Sequence, residues 1–185
     1  MIKILVTGAQ GQVGAALCQR ALKMDMSVVG VDAQHLDLSD LSQINQLIAE
    51  HTPKFVINCA SHSVVDRAEA NPEEAYRTNR DGAANLATAC ASFGVILLHL
   101  STDYVFDGTR HLPITEQMPL NPVNIFGHSK SAGEELVREK CHRHIILRVG
   151  WVFSSRGNNF VLRTMRQIRR DKQIMAVDDQ FVCPT

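Results

Sequence analysis

Thr7-Gly8-Ala9-Gln10-Gly11-Gln12-Val13-Gly14 decides how the rest of the chain is read. Before it, residues 2–7 (IKILVT) form a short, β-branched apolar run, the pattern of a strand buried on both faces. After it, Val13, Ala16, Leu17, Ala21 and Leu22 recur at helical spacing through residues 12–23. The glycines therefore occupy a strand-to-helix bend, the context that gives so short a motif its meaning. Gly8 permits a tight turn, Gly11 lets backbone approach an anion without a Cβ in the way, and Gly14 lets the helix lie close to the sheet. The amides opening the helix are a ready site for a diphosphate.

Outward from this bend the pattern repeats. Residues 27–31 (SVVGV) read as a second strand ending at Asp32, and residues 36–38 as a short third one. Leu41, Ile44, Leu47 and Ile48 mark a helix capped by Asp40 or Ser39 and stopped by Pro53. Residues 55–59 (FVINC) and 95–100 (VILLHL) are further buried strands. Between them a long helix is expected over residues 72–93, with Pro72 in its first turn and Gly94 as its stop. The prolines and glycine of residues 107–122 predict a loop. A helix from near Asn124 to Lys140, a strand at 145–149 and a helix at 160–170 complete the order. Such alternation predicts an α/β fold, a doubly wound Rossmann-like parallel sheet with helices on both faces, formed by residues 1–185 as one NAD(P)-binding domain. Its ligand would sit beyond the carboxyl ends of the strands, and Asp32 stands where an acid accepts the adenosine ribose hydroxyls and disfavours a 2′-phosphate.

Composition narrows the function classes. Lys plus Arg (19) equals Asp plus Glu (19), so no overall positive field favours nucleic acid or anionic lipid. Apolar runs are strand-length and the first residues lack an export signal, which argues for a cytoplasmic protein with no membrane or nucleic-acid partner. The five cysteines are scattered, fitting reduced, mostly buried thiols and no metal site. Arg163, Arg166, Arg169 and Arg170 give the last helix a basic face, read as solvated surface.

The glycine spacing resembles that of the extended short-chain dehydrogenase/reductase superfamily. Residues 57–69 (INCASHSVVDRAE), 99–108 (HLSTDYVFDG), 119–137 (PLNPVNIFGHSKSAGEELV), 150–160 (GWVFSSRGNNF) and 178–185 (DDQFVCPT) together resemble the dTDP-4-dehydrorhamnose reductase family, in order along the chain. The resemblance implies an NADP- or NAD-dependent oxidoreductase of dTDP-rhamnose biosynthesis, acting on a dTDP-4-keto-sugar. It implies that Gly11, Gln12, Val13, Asp32, Asp37, Leu38, Ser61, His62 and Ser63 contact the dinucleotide along with the glycine bend, and that Thr102, Asp103 and Trp151 face the sugar nucleotide. It leaves a homodimer open.

The reduction needs hydride on carbon and a proton on the resulting oxyanion. The family uses a Thr or Ser hydroxyl to hold the carbonyl oxygen, a Tyr phenol as acid, and a Lys four residues later that lowers the phenol's pKa and grips the nicotinamide ribose of the cofactor. Thr102 and Lys130 match, but the tyrosine position is Phe126, so the expected proton donor is missing. Loss of a general acid costs about 10² to 10⁴ in rate. Tyr104 is the more plausible stand-in; His128, two residues along the helix from Phe126, points to another face. Relatives also continue into a small carboxyl-terminal domain over the sugar nucleotide, which 185 residues do not include. The rival expectation is a regulatory or scaffolding subunit that binds the nucleotide without chemistry, as the β subunit of methionine adenosyltransferase does in the same superfamily.

Overall fold

The computed structural model describes residues 2–109, 113–171, 173–174 and 183–185. Strands β1 (Lys3–Thr7), β2 (Ser27–Val31), β3 (Phe55–Asn58), β4 (Ile96–Thr102) and β5 (His144–Val149) form one parallel sheet in the order β2-β1-β3-β4-β5. Helix α1 (Gln12–Leu22) joins β1 to β2, α2 (Leu41–His51) joins β2 to β3, and α6 (Ile125–Lys140) lies between β4 and β5. Since the first crossover steps one way along the sheet and the later ones step the other, right-handed connections put α1 on one face and α2 and α6 on the opposite one.

The period-2 alternation of the strands is visible in the two cores. Leu5, Val56 and Leu97 point to the face where Ile44, Ile48, Leu86 and Val137 are buried. Ile4 and Val6 point to the other, against Ala21 and Cys18 of α1. On that second face Phe55, Ile57, Ile96, Leu98 and Ile145 line an apolar hollow beside α1.

Local chemistry explains most boundaries. Asp40 caps α2 by accepting from the amides of Ser42 and Gln43, and Asn124 caps α6 by accepting from Gly127 N–H at 2.7 Å. The stretch expected as one helix over 72–93 is three pieces. These are α4 (Pro72–Tyr76), a π-helical turn at Arg77–Asp81, and α5 (Gly82–Ser92), which ends before Gly94 at φ +65°. An extra helix, α3 (Val65–Ala70), precedes them. The expected third strand at 36–38 is instead irregular turn. Within it the Leu36 amide donates to Asp32 O and the Asp37 amide to Gln43 Oε1, so local groups take amides that a ladder would need. After β4, a short 3₁₀ turn (Asp103–Val105) starts the loop. Helix α7 (Phe160–Asp171) carries its arginines exposed, two of them in local hydrogen bonds, Arg166 with Leu162 and with Asn158 just before the helix, Arg170 with Asp171.

Candidate functional site

The loops after β1 and β3 meet at the point where the chain's direction along the sheet reverses, the place where open α/β sheets bind ligands. Gly8 has φ +65°, and a Cβ there would lie 2.7 Å from Ala60 N. A Cβ on Gly14 would overlap the carbonyl oxygen of Gly8. Both glycines are thus required by close backbone approach. Gly11 is the N-cap of α1, no described side chain caps this helix, and its first turn carries no acid. The amides of Gln12, Val13 and Gly14 open the helix beside the bend, an arrangement suited to a diphosphate. The side chain of Gln12 points elsewhere: its Nε2 donates to Val152 O at 2.9 Å and its Oε1 accepts from Asn159. Gln12 therefore ties the bend to the loop after β5.

At the end of β2, Asp32 Oδ1 accepts from Gln34 N–H and pairs with His35 Nδ1 at 2.8 Å. The Gln34 amide and then His35 hold its carboxyl below the usual range. Asp32 is thus a turn cap at the end of β2 that keeps its carboxylate. Asp37 bonds Ser39 through both the amide and the hydroxyl, and the carbonyl of Leu38 accepts from Asn85.

The loop after β3 is pinned from beneath. Buried Asn79, inside the π-helical turn, accepts from Ser61 Oγ and His62 N–H and donates to His62 O and Ser129 Oγ. This side chain fixes Ser61 and His62 relative to α6, while Ser63 is exposed. The wider turn displaces Asn79 from regular helical phase, as such insertions at functional sites do. His62 Nδ1 is buried without a hydrogen-bond partner among the described residues, a polar atom available to a ligand group.

The ends of β4 and β5 bring the remaining residues together. Thr102 Oγ1 donates to Asp103 Oδ1 at 3.1 Å and accepts from Tyr104 N–H. A ligand carbonyl would compete with Asp103 for that hydroxyl proton. Gly150 lies close against Asp103: a Cβ there would be 2.5 Å from Asp103 Oδ2 and would push the carboxylate aside. Trp151 follows at φ +46° and meets Phe160 edge-on at 5.2 Å. Thr185 docks here, its amide donating to Gly150 O; residues 178–182 of the D-Q-F motif lie outside the described residues.

Phe126 is 7% exposed and packs with Ala68 and Ala75, its ring edge against Tyr104 at 5.7 Å. Tyr104 is no ready replacement acid, because burial and then Asp103 push its phenol above the usual value. His128 is exposed, on another face of α6. Lys130, one turn beyond Phe126, is 2% exposed. Its Nζ donates to Leu100 O at 2.6 Å and lies 3.2 Å from His99 Nε2. Burial lowers its pKa to about 8 against the opposing fields of Glu134 and Cys59. Cys59 and Cys90 are pushed up to about 12 by burial, which makes them inert thiols. Among the described residues no group of three or more His, Cys, Asp or Glu side chains could hold a metal ion, and no helix is long and apolar enough to cross a membrane.

Sequence reading missed Asn58, Asn79 and His99. Each is buried and hydrogen-bonded into the site. The signal was present for two of them: Asn58 and His99 are polar side chains inside otherwise apolar strands, which is costly unless each is satisfied.

The fold and the bend define a doubly wound domain of the dinucleotide-binding kind. Within that class the chain belongs to the family described as RmlD substrate binding domain, whose model matches residues 2–185. It is 38% identical over its full length to a dTDP-4-dehydrorhamnose reductase of Sinorhizobium fredii, and that match spans 62% of the relative. Among solved structures, the dTDP-4-dehydrorhamnose reductase of Bacillus anthracis in complex with NADP superposes with TM-score 0.90 at 36% identity, over 94% of this chain and 62% of that one. The Clostridium acetobutylicum reductase gives TM-score 0.87 at 38% identity, over 91% and 60% respectively. The chain spans about three fifths of the length of these relatives.

Proposed function

We propose that residues 1–185 form the dinucleotide-binding portion of an NAD(P)H-dependent reductase of a dTDP-4-keto-deoxysugar, working in the cytoplasm in dTDP-rhamnose formation, with no nucleic-acid or membrane partner. The observation that carries this reading is the bend at Gly8, Gly11 and Gly14, where two of the three positions have no room for a Cβ and helix amides open onto the switch point. When bound, the dinucleotide supplies the hydride. The amides of Gln12 and Val13 would hold its diphosphate, Asp32 Oδ2 its adenosine ribose, and the pinned loop at Ser61, His62 and Ser63 its inner half. Thr102 would orient the sugar carbonyl by releasing its proton from Asp103, with Trp151 forming the wall opposite.

Isothermal titration with NADPH and with NADH tests this: heat with either is expected, and silence from both at millimolar concentration refutes it. Asp32 favours NADH, since a 2′-phosphate would meet its carboxylate.

A second reading, a nucleotide-binding regulatory or scaffolding subunit, is favoured by one observation. Phe126 fills the proton donor's position with a ring packed on alanines. Assay of the chain and its Phe126→Tyr variant on a 4-keto-sugar nucleotide separates the two. Restored acid catalysis should raise turnover by about 10² to 10⁴. Equal, measurable turnover of both proteins would show that Phe126 is not the limiting defect.

A further inference from the structure

Beneath the cleft, a chain of buried hydrogen bonds runs to Lys130. Asn58 Oδ1 accepts from Ala60 N–H at 3.1 Å and from Thr7 Oγ1 at 2.7 Å. A backbone N–H can only donate, so this contact fixes which end of the amide is oxygen. Asn58 Nδ2 must then donate, and the atom it meets at 3.0 Å is His99 Nδ1. That nitrogen is an acceptor, so the ring proton of a neutral imidazole sits on Nε2. The imidazole is neutral because burial, and then the lysine, hold its pKa well below the ordinary value. Nε2–H faces Lys130 Nζ. An ammonium has no lone pair to receive it, whereas an amine accepts this proton and still donates to Leu100 O.

We propose that Asn58 and His99 are positioning residues for Lys130, fixing the ring proton of His99 on Nε2 and so favouring the lysine as an uncharged amine. Protonating Lys130 adds one proton to Nζ and turns it wholly into a donor. His99 must then present Nε2 as acceptor, which moves its single ring proton to Nδ1. That places two donors, Nδ1–H and Asn58 Nδ2–H, face to face, and turning the amide over would only transfer the clash to Ala60 N–H. The uptake of one proton is thus opposed by the whole chain of bonds. The other groups whose fields reach Nζ are Glu134, one turn along α6, and Cys59 at the end of β3. Glu134 is already committed to Arg138 and Arg148.

The consequence for the cleft rests on the proposed function. With Phe126 in the phenol's place, Lys130 is the one titratable group of the expected pair, and its charge is set from inside the sheet.

The test is a pH titration, from 6 to 11, of the lysine ε-carbon resonances in protein labelled with ¹³C-lysine, without dinucleotide. The chain has six lysines, and the Lys130 signal is the one missing in Lys130→Met. Its midpoint should lie well below those of the other five. In Asn58→Asp the carboxylate keeps the bonds from Thr7 and Ala60 but accepts from His99 Nδ1–H, which reverses the tautomer; the midpoint should rise by about 1 pH unit or more. Long-range ¹H–¹⁵N spectra recorded above the wild-type Lys130 midpoint should show the His99 proton on Nε2 in the wild type and on Nδ1 in Asn58→Asp, a change that added negative charge alone would not produce. Lys130 titrating with the surface lysines, an unmoved midpoint in the variant, or a wild-type ring proton on Nδ1 would each overturn the proposal. Should Asn58→Asp not fold, the wild-type tautomer decides. A lysine that behaves as expected in a protein that binds no dinucleotide would leave this proposal standing and sink the functional one.

Discussion

Replacing Lys130 with methionine should change how stability depends on pH. The folded chain releases the Lys130 proton at about 8, whereas the unfolded chain keeps it to 10.5. Between those values the unfolded state binds one more proton than the native state, so stability must rise with pH across that window. The slope is about 1.4 kcal/mol per pH unit, and the whole window is worth roughly 3 kcal/mol. At pH 7 the wild type carries this cost in full, because a charge is held in a site only 2% exposed. Methionine has the length of the lysine stem and no charge, so the variant lacks the pH-dependent part. It also leaves the Leu100 carbonyl and His99 Nε2 without their partner, which costs about 1 to 3 kcal/mol at every pH. The absolute difference at pH 7 is therefore small, and its pH dependence is the informative quantity. Urea denaturation of both proteins at pH 7 and 9.5 should show the wild type gaining about 2 kcal/mol on Lys130→Met, since all other titrations cancel in the difference. A difference that stays flat within about 0.5 kcal/mol, or that moves the opposite way, refutes the reasoning that Lys130 is buried against its charge.

Gly14→Ala should destabilise the chain by about 1 to 3 kcal/mol, read by thermal melting, and weaken dinucleotide binding at least tenfold in calorimetry, because the added methyl meets the Gly8 carbonyl. Glu134→Gln should cost about 3 to 5 kcal/mol in urea, since Arg148 then loses the carboxylate that it grips at 2.7 Å in a fully buried site. Burial opposes the ionised form of Glu134, but the bonds from Arg148 and Arg138 outweigh it and lower the pKa. This acid's contribution is present above its unfolded pKa near 4.5 and is lost as pH falls through the lower folded value, a loss that Glu134→Gln should abolish. Asn79→Ala should cost about 2 to 4 kcal/mol and loosen the 61–63 loop, read as faster amide exchange at His62.

The glycine bend, the strand and helix flanking it and the helix cap at Asp40 were legible because each depends on residues near in sequence. The direction of the Lys130 side chain was not: helical spacing places it one turn from Phe126, but only the packing of α6 on β4 turns its tip to His99 and Leu100. The strand expected at residues 36–38 failed for a local reason that apolar periodicity does not weigh, the capture of the Leu36 amide by Asp32 O and of the Asp37 amide by Gln43. The break of residues 72–93 into three pieces left no mark in the hydrophobic pattern, since a π-helical turn adds a residue without altering composition.

That wider turn at Arg77–Asp81 also limits how this segment can change in length. Deleting one of its residues would restore ordinary α-helical winding with α4 and α5 nearly in their present phase, but it would remove the displacement that the wider turn gives to Asn79. Asn79 would then face away from Ser129 and His62, so a shorter and locally more regular helix would sever the tie between two walls of the cleft. Shortening here should therefore be far less tolerated than a comparable change in the exposed 113–120 stretch, even though both leave the hydrophobic cores untouched.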